Sequence, residues 1–575
     1  MSTTPASKPV TGAPAAAANL AAEKRAQAQT QSLHDYRAHP HSSPAVSTAN
    51  RAHTAAASPT LAAPLNTIET KHFSTLALIG LCYCILNSWT AASASMSIAL
   101  VSGGPSVTLW GMVVAFVGVM ACALSMAEIC HVYPTTGGQY HWSFCLSPPR
   151  YRYAIAYFTG WIAVAGWVAL TATASSLAGQ FIVGIIALLH ENYEQKTWHI
   201  FLVYVVFSIG AWLINAFGVR ILDSLNRVAM IWSLVGAVVI MITCLARASP
   251  DYQDAKFVFG KFVNETGWNN GVAWILGLLQ AAFSLIGSDG ATHMVDEIDR
   301  PSINAPRAMI LAVAIGAGST FIVLMVFLFV LKDLEGVTSS SAGALLEIIY
   351  QAVGNRAGAV CLLMFPVLSM AFTATALLTT SSRMSQAFAR DKGLPFSGVL
   401  SRISPRSQVP IPALIFTTIW VIIFGCVYLG SSSALNAILS SSVVLLQFSY
   451  IIPIALLLVR GRKVLNDATP EKRHFNLGPR LGPLINIFAI LFVLFTNVFF
   501  LFPPELPVTG PNMNYTIVVI AVVAIMSLVA WFVQGRKEFK GPLDMDEILF
   551  RTRGFARFDA EDASAAQVAN EKELS

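Results

Sequence analysis

FSLIGSDGATHMVDEIDRPSINAPRA, residues 283–308, closes an apolar run that begins near Val272. Within it, Gly287 and Gly290 flank the carboxylate of Asp289 at a depth where a membrane helix should be most regular. An ionisable residue near the bilayer centre costs about 2.5–3.5 kcal/mol on insertion scales, and unwound backbone is tolerated only inside protein or beside water. The stretch therefore predicts a helix interrupted at a substrate or ion site. The alternative is that the glycines only allow close helix packing, which leaves Asp289 unexplained.

The composition is that of a membrane protein. Only 11% of the 575 residues are charged, against about 25% in soluble domains. Hydrophobic residues make up 55%, and the mean hydropathy is +0.62. About 20 apolar residues cross a bilayer as a helix, and runs of that length recur along the chain. We predict an all-α polytopic membrane protein with twelve spans, at residues 75–99, 107–130, 154–178, 199–217, 227–247, 271–294, 308–331, 357–382, 411–429, 434–459, 483–502 and 515–534.

Three regions follow from this pattern. Residues 1–70 are polar and rich in Ala, Ser, Thr and Pro, so we expect a disordered tail without a cleavable signal peptide. Residues 71–535 are expected to form the twelve-helix membrane domain, and residues 536–575 a C-terminal tail. The segment 153–189 is long for one span. Residues 177–189 are therefore expected to be either a separate surface helix or a tilted extension.

The cations set the expected orientation. With a cytoplasmic N-terminus, all but six of the 36 Lys and Arg residues lie on the cytoplasmic side, which agrees with the positive-inside rule. The exceptions are Lys196, Arg247, Lys256, Lys261, Lys332 and Arg356. An even number of spans then places both termini in the cytoplasm. The net charge of +6 reflects this topology and does not indicate a nucleic-acid partner.

The cysteines and the glycosylation sequons provide expectations for the outer side of the membrane. None of the eight cysteines lies clearly in an outer loop, so we expect no disulfide framework. Asn264-Glu-Thr and Asn514-Tyr-Thr are glycosylation sequons on the expected outer side. Because Asn514 abuts a span, Asn264 is the expected modification site.

A second interruption lies in the first span, at CILNSWTAASAS, residues 84–95. Asn87, Ser88 and Thr90 place polar groups at mid-span, surrounded by small alanines. The interrupted spans are thus the first and the sixth, as in two repeats of five helices that each begin with a discontinuous helix. Paired interruptions at corresponding positions are the best sequence indication of a transporter site.

Three stretches carry a resemblance to a known family. They are GGPSVTLWGMVVAFVGVMACALSMAEICHVYPTTGGQYHW (103–142), GSDGATHMVDEIDRPSINAPRA (287–308) and SRMSQAFARDKGLP (382–395). In this order they resemble the amino acid–polyamine–organocation (APC) transporter superfamily, and within it the fungal amino-acid/choline permeases. The resemblance covers roughly residues 70–535. It implies a twelve-helix, five-plus-five inverted-repeat (LeuT-like) fold with substrate held between broken helices 1 and 6.

The resemblance also implies site residues by position. Phe283 would close over the substrate, and the backbone around Gly287 would contact it. In helix 1, Asn87–Ala91 occupies the place where bacterial relatives often carry Gly-Ser-Gly. The implied substrate-binding residues are Asn87, Ser88, Trp89, Thr90, Ala91, Phe283, Ile286, Gly287 and Ser288. The helix-5 Lys of some proton-coupled relatives is absent, with Trp232 or Ser233 in the matching region.

Four residues are expected to act in coupling or gating: Asp289, Glu297, Arg383 and Thr375. Asp289 stands where many relatives have Glu; it could couple transport to protons, contact the substrate or brace the broken helix. On a helix, Glu297 would share one face with His293 and Asp296, and could pair with Arg383 or another inner arginine, or simply end a solvated helix. These three residues could also hold a metal, but no second ligand cluster exists and we predict no metal site.

Thr375 belongs to a group of hydroxyls on span 8, with Thr373, Thr379 and Thr380. They could supply ligands to a sodium-like site. Such residues more often bond to their own helix.

These features favour a secondary active transporter with alternating access and proton rather than sodium coupling. Its expected substrate is an amino acid or a related small amine such as choline or 4-aminobutyrate, and no cofactor is needed. A membrane enzyme would need a nucleophile or metal constellation such as H-E-x-x-H, which the sequence lacks. The alternatives are a transport-dead nutrient sensor of the same fold, or an exporter or vacuolar carrier of an amine metabolite. We expect the plasma membrane rather than the vacuolar membrane.

Overall fold

The computed structural model describes residues 74–190, 192–429, 434–468, 473–510 and 512–542. The predicted N-terminal tail, and the predicted C-terminal tail beyond residue 542, lie outside the described residues. All the described residues belong to one compact unit.

Helices account for the architecture of the described residues, and none of these residues forms a strand. Eleven helices are long and apolar enough to cross a membrane: Thr75–Ala94, Met96–Val132, Arg152–Leu189, Thr197–Phe217, Val219–Ala248, Asn270–Glu297, Pro301–Val330, Arg356–Arg390, Leu435–Arg460, Leu481–Phe499 and Thr516–Glu538. The predicted ninth span is the shorter helix Ile411–Gly425, which continues as a 3-10 turn to Leu429. Each predicted span thus coincides with a helix, and we number them spans 1 to 12. The all-α polytopic prediction is confirmed.

The sequence left open whether residues 177–189 form a separate surface helix or extend span 3. Arg152–Leu189 is a single helix of 38 residues, about 57 Å long, whereas the hydrocarbon core is about 30 Å thick. Residues 177–189 are therefore an extension of the span and not a separate surface helix.

Spans 1 and 6 are both interrupted. In span 1, helix Thr75–Leu86 ends at Asn87, which is left-handed with φ 39°. In span 6, helix Asn270–Ser284 gives way to Gly287, with φ 98°, and a 3-10 helix follows. Asn and Gly are the residues that tolerate this conformation most readily.

The two interruptions lie against each other. A Cβ added to Gly287 would meet Ile85 Cγ2 at 2.7 Å. On the other side of the break, Gln280 Nε2 donates to the Ala92 carbonyl at 2.7 Å. Glycine is therefore required at 287 both for its backbone conformation and for the close approach of span 1.

Alternation of the spans brings five connections to one end of the bundle, which we call the basic face. Their described residues are 133–151, 218, 298–300, 391–410, 461–468 and 473–480. The first of these contains a short helix, Gln139–Leu146, here called the loop helix. Six of its eight residues are buried: Gln139, Tyr140, His141, Trp142, Ser143 and Leu146. All of these except Leu146 have aromatic or polar side chains. The loop helix is thus an integral part of the packed interior.

The end of the described chain also returns to the basic face. Span 12 exposes most of its surface, as a helix facing lipid would. Beyond it, however, the ring of Phe539 is only 3% exposed and packs at 5.3 Å from Tyr157 and 5.9 Å from Phe388, centroid to centroid. The segment after span 12 is therefore fixed to spans 3 and 8.

Candidate functional site

A small cavity lies where the two interruptions meet. Its lining comes from spans 1, 3, 6 and 8 and is mostly aliphatic: Ile85, Leu86, Asn87, Ala91, Leu170, Ala174, Leu177, Phe283, Ile286, Met370, Thr373 and Leu377. Among these residues none is ionisable. A concave, mainly apolar site with a few polar groups is the usual form of a small-molecule site.

Four of the nine predicted substrate residues line this cavity: Asn87, Ala91, Phe283 and Ile286. Gly287 borders it through its contacts with Ile85 and Leu170, since a Cβ at Gly287 would lie 2.7 and 3.1 Å from those side chains. The roles assigned to all nine residues remain predictions.

The other four predicted residues do not line the cavity. Ser88 packs against span 7, because a Cβ on Gly316 would meet its hydroxyl at 2.3 Å. Trp89 Nε1 donates to Ser233 Oγ at 2.8 Å, on span 5. Thr90 and Ser288 are buried but are not among the lining residues. A run of consecutive helical residues faces all directions, so only part of it can face one cavity.

Sequence reasoning missed the contribution of span 3. Leu170, Ala174 and Leu177 line the cavity, and they repeat at helical spacing along one face. Nothing distinguishes such residues from ordinary apolar packing positions in a membrane helix. Met370 of span 8 was missed for the same reason.

Polar groups around the first interruption form a connected set. Ser233 Oγ accepts from Trp89 Nε1 and lies 3.4 Å from Asn87 Oδ1. On the opposite side, Thr373 Oγ1 lies 2.9 Å from the Cys84 carbonyl. That carbonyl is one of the last four of helix Thr75–Leu86 and lacks an amide partner within it. Spans 5 and 8 thus satisfy the groups that the interruption exposes.

Asp289 is fully buried but points away from the cavity, toward the loop helix. Its Oδ2 accepts from Gln139 Nε2 at 2.5 Å, and its Oδ1 accepts from the hydroxyl of Tyr450 on span 10. His293 Nε2 lies 3.4 Å from Oδ2, while His293 Nδ1 lies 2.8 Å from the Thr136 carbonyl. The carboxylate therefore links span 6 to the loop before span 3 and to span 10.

The segment after Gly287 is a 3-10 helix, Ser288–Glu297, and this corrects the expected geometry of three residues. With three residues per turn, His293 and Asp296 share a face, and both contact Thr136. Glu297 is turned to another side. The three side chains therefore do not converge, and among the described residues no group of three or more His, Cys, Asp or Glu residues could hold a metal.

Glu297 pairs with Arg383 of span 8. Arg383 Nε donates to Glu297 Oε1 at 2.5 Å, and Nη2 lies 3.3 Å from Oε2. Both side chains are nearly fully buried, at 2% and 6% exposure. Breaking a buried pair costs about 3–5 kcal/mol when one partner is removed. The pair can therefore hold span 6 to span 8, while its function as a gate remains a prediction.

The hydroxyls of span 8 are divided between two faces. Thr373 faces span 1, as described above. Thr379 faces span 4, where its Oγ1 donates to Asn215 Oδ1 at 2.5 Å. The Thr375 hydroxyl instead donates to the Ala371 carbonyl of its own helix at 2.9 Å. Thr375 does not line the cavity, and its part in coupling stays a prediction.

A buried polar cluster fixes the loop helix to the end of span 8. Asp391 Oδ2 lies 2.8 Å from the Tyr140 hydroxyl and 2.7 Å from His141 Nε2. Burial raises the pKa of Tyr140 well above its usual value. Burial also lowers the pKa of His141, although hydrogen bonding to Asp391 opposes this. A neutral His141 is the form that the cluster favours at neutral pH.

Glu128, near the end of span 2, pairs with Arg462 at 2.6 Å and Arg473 at 3.2 Å, and so holds the connection between spans 10 and 11. Asn264, the expected glycosylation site, donates both amide hydrogens internally, to the Trp268 carbonyl and Asn270 Oδ1. A glycan would replace one of those hydrogens, and modification of Asn264 remains a prediction.

Comparison with known proteins agrees with this architecture. The model of the family "Amino acid permease" matches residues 73–523. The chain is 36% identical over 474 residues to the choline transporter of Saccharomyces cerevisiae, covering 82% of each protein. It is 29% identical to the 7-keto 8-aminopelargonic acid transporter of the same yeast, covering 80% of this chain and 92% of that protein. It is 30% identical to amino-acid permease BAT1 of Arabidopsis thaliana, covering 80% and 91%. The chain therefore belongs to the amino acid permease family of membrane transporters.

Proposed function

We propose that this transporter carries a small quaternary ammonium solute of the choline type and couples its movement to protons. The observation that supports the substrate class is the cavity lining, which offers an aromatic ring, a thioether and aliphatic groups but no ionisable side chain. The similarity to a protein named a choline transporter over 82% of both chains points the same way.

Primary and quaternary ammonium groups differ in the hydrogen-bond donors that they carry. A primary ammonium carries three N–H donors, but Asn87 and Thr373 are the side chains with oxygen atoms in the lining. Burying a donor without an acceptor is costly. A quaternary ammonium has no N–H group, so an apolar lining leaves nothing unsatisfied. Phe283 lines the cavity and can hold such a cation against its ring face, which is how aromatic residues commonly bind quaternary ammonium.

Uptake in a permease-deficient yeast tests the substrate class. Cells expressing the chain are given radiolabelled choline with an excess of unlabelled choline, 4-aminobutyrate, a basic amino acid or a polyamine. We expect labelled choline to enter and only unlabelled choline to compete strongly. Strong competition by 4-aminobutyrate or a basic amino acid would contradict the proposal. Absence of uptake of every solute, from a chain present in the membrane, would favour the sensor.

Proton coupling is proposed through Asp289. Its described partners are Gln139, Tyr450 and His293, and it forms no ion pair with a described Lys or Arg. As a carboxylate, it accepts hydrogen bonds from both Gln139 and Tyr450. Protonation turns one oxygen into a donor and so weakens one of the two bonds. In this proposal the unprotonated form keeps the loop helix closed over the basic face, and protonation releases it.

Reconstituted vesicles test the coupling ion. An inward proton gradient should accelerate choline uptake, and choline added without a gradient should carry protons inward, measured with an enclosed pH-sensitive dye. Replacing sodium by potassium should leave the rate unchanged. A rate that follows the sodium gradient and ignores pH would contradict this part of the proposal.

The proposed orientation has both termini in the cytoplasm and the protein in the plasma membrane. Its support is the charge distribution, because the basic face carries most loop cations. An epitope inserted between Pro504 and Asn512 should bind antibody on intact cells, whereas one appended after Ser575 should bind only after permeabilisation. The reverse pattern would overturn the orientation, and labelling confined to vacuoles would overturn the location.

A further inference from the structure

We infer that the first interruption recognises a hydroxyl group on the solute, and that Ser233 is the residue that positions the recognising side chain. The inference rests on the proposed function, since it concerns the same cavity. Asn87 and Thr373 are the side chains with oxygen or nitrogen atoms in its lining. What each can offer a solute follows from the hydrogen bonds that it already makes.

A chain of contacts orients the Asn87 amide. The indole of Trp89 can only donate, and it donates to Ser233 Oγ at 2.8 Å. Ser233 is therefore left with its own hydrogen to give, and Asn87 Oδ1 lies 3.4 Å away to accept it. Asn87 Nδ2 consequently points the other way, toward Met370 Sδ at 4.0 Å. A thioether is a weak acceptor, so this amide presents an N–H donor to the cavity.

Thr373 presents the complementary group. A threonine hydroxyl has one hydrogen, and the Oγ1 of Thr373 lies 2.9 Å from the carbonyls of both Cys84 and Ser369. Its hydrogen is taken by one of these carbonyls, so toward the cavity it can only accept. Met370 and Thr373 are three residues apart and share a helix face. The donor beside Met370 and the acceptor at Thr373 are therefore neighbours.

A hydroxyl group matches this pair because it both accepts and donates. It can accept from Asn87 Nδ2 and donate to Thr373 Oγ1. A carboxylate only accepts, and so it would face the lone pairs of Thr373. A methyl group satisfies neither residue. The cavity should thus prefer a hydroxylated quaternary ammonium to one that carries a methyl or a carboxylate in the same place.

Three solutes test this preference: choline, propyltrimethylammonium, in which a methyl replaces the hydroxyl, and trimethylglycine, which carries a carboxylate. In the wild-type chain we expect the inhibition constant of propyltrimethylammonium to be about tenfold above that of choline, for the loss of paired hydrogen bonds. Trimethylglycine should be weaker than choline by at least that factor. Equal inhibition by choline and propyltrimethylammonium would overturn the inference while leaving the proposed function intact.

Variants of Ser233 test its positioning function. Ser233→Ala frees the Asn87 amide to rotate, so the preference for hydroxyl over methyl should fall to about twofold. The inhibition constant of propyltrimethylammonium itself should not change, which also reports that the cavity is intact. Ser233→Thr keeps the hydroxyl and should keep the preference. Ser442 is a matched control, because it is buried and donates to the Leu439 carbonyl of its own helix; Ser442→Ala should leave the preference unchanged.

These assays distinguish failure of the Ser233 assignment from failure of the proposed function. A tenfold preference that survives Ser233→Ala unchanged would show that Ser233 does not position Asn87, and would overturn that assignment. A wild-type chain that takes up an amino acid but no quaternary ammonium would overturn the proposed function, and the hydroxyl inference with it.

Discussion

The two interruptions differ in what they present. At the first, a side chain of the break itself, Asn87, lines the cavity, and the groups that hold it are the neutral side chains of Trp89 and Ser233. At the second, the break residue Gly287 has no side chain, and the polar residue after it, Asp289, faces the loop helix at the basic face. One break is neutral and turned inward; the other is charged and turned toward one end of the bundle.

The two breaks therefore separate two functions that the sequence analysis assigned to one region: contact with the solute and control of the loop helix. A residue that touches the solute should change affinity when it is altered. A residue that holds the loop helix should change the response to pH and leave affinity alone.

The largest effect is expected from Gly287→Leu, which should reduce uptake to the level of cells without the transporter. A non-glycine residue at φ 98° is strained by about 1–3 kcal/mol, and the new side chain would collide with Ile85 Cγ2, 2.7 Å from its Cβ. Gly318→Leu is the control, because a Cβ there meets nothing within 4 Å. Both variants should reach the cell surface. Full uptake by Gly287→Leu would mean that the two breaks need not touch.

Asp289→Asn should remove the dependence of uptake on the proton gradient and leave the Michaelis constant within about twofold, because Asp289 is not part of the cavity lining. Uptake at external pH 5 and 7, with and without a protonophore, gives both quantities. The exposed Asp251 supplies a control, and Asp251→Asn should behave as wild type. An altered affinity with intact pH dependence would assign Asp289 to the substrate. A variant unchanged in both would leave it as a brace.

Phe283→Leu should weaken affinity and leave proton coupling intact, the reverse of what is expected for Asp289→Asn. Loss of the ring face should raise the Michaelis constant for choline by roughly 2–30-fold, the range that corresponds to cation–π contacts, and the response to pH should persist. Phe488→Leu, at a half-exposed ring of span 11, is the control for loss of an aromatic residue. Loss of pH dependence in Phe283→Leu would show that solute binding and proton coupling share one break.

The smallest effect is expected from Thr373→Val, which removes the hydroxyl that lies within hydrogen-bond distance of the Cys84 carbonyl. An unsatisfied buried acceptor costs about 1–3 kcal/mol, so the purified protein should unfold at a temperature lower by about 1–4 °C. Thr418→Val is the matched control, since Thr418 Oγ1 donates to the Leu414 carbonyl of its own helix. Equal shifts in the two variants would show that Thr373 does not support the first break.

The fold could be predicted because the membrane imposes it. Spans must be helical and about 20 residues long, so hydropathy alone located the eleven long helices and the shorter helix Ile411–Gly425. The breaks were also predictable, since Gly287 and Asn87 put unusual residues inside apolar runs. Pairing of Glu297 with Arg383 was one of the alternatives that the sequence offered, and the structure shows this pair.

The site was less predictable, for two physical reasons. The direction in which a side chain points depends on the helix type, and the sequence did not indicate that Ser288–Glu297 is a 3-10 helix. Contact of Asp289 with the substrate therefore remained one of three alternatives, although its carboxylate faces Gln139. In addition, Leu170 and Leu377 line the cavity but are chemically identical to residues that face lipid.

The buried ring of Phe539 has a consequence for how the chain is made. The aromatic site between Tyr157 and Phe388 belongs to spans 3 and 8, which a ribosome releases long before residue 539. Until that residue emerges, the site is an open apolar gap at the end of an otherwise assembled bundle. Completion of the basic face is therefore one of the last events of biosynthesis, and a chain that stops short of Phe539 is left with an exposed hydrophobic patch of the kind that cellular quality control removes.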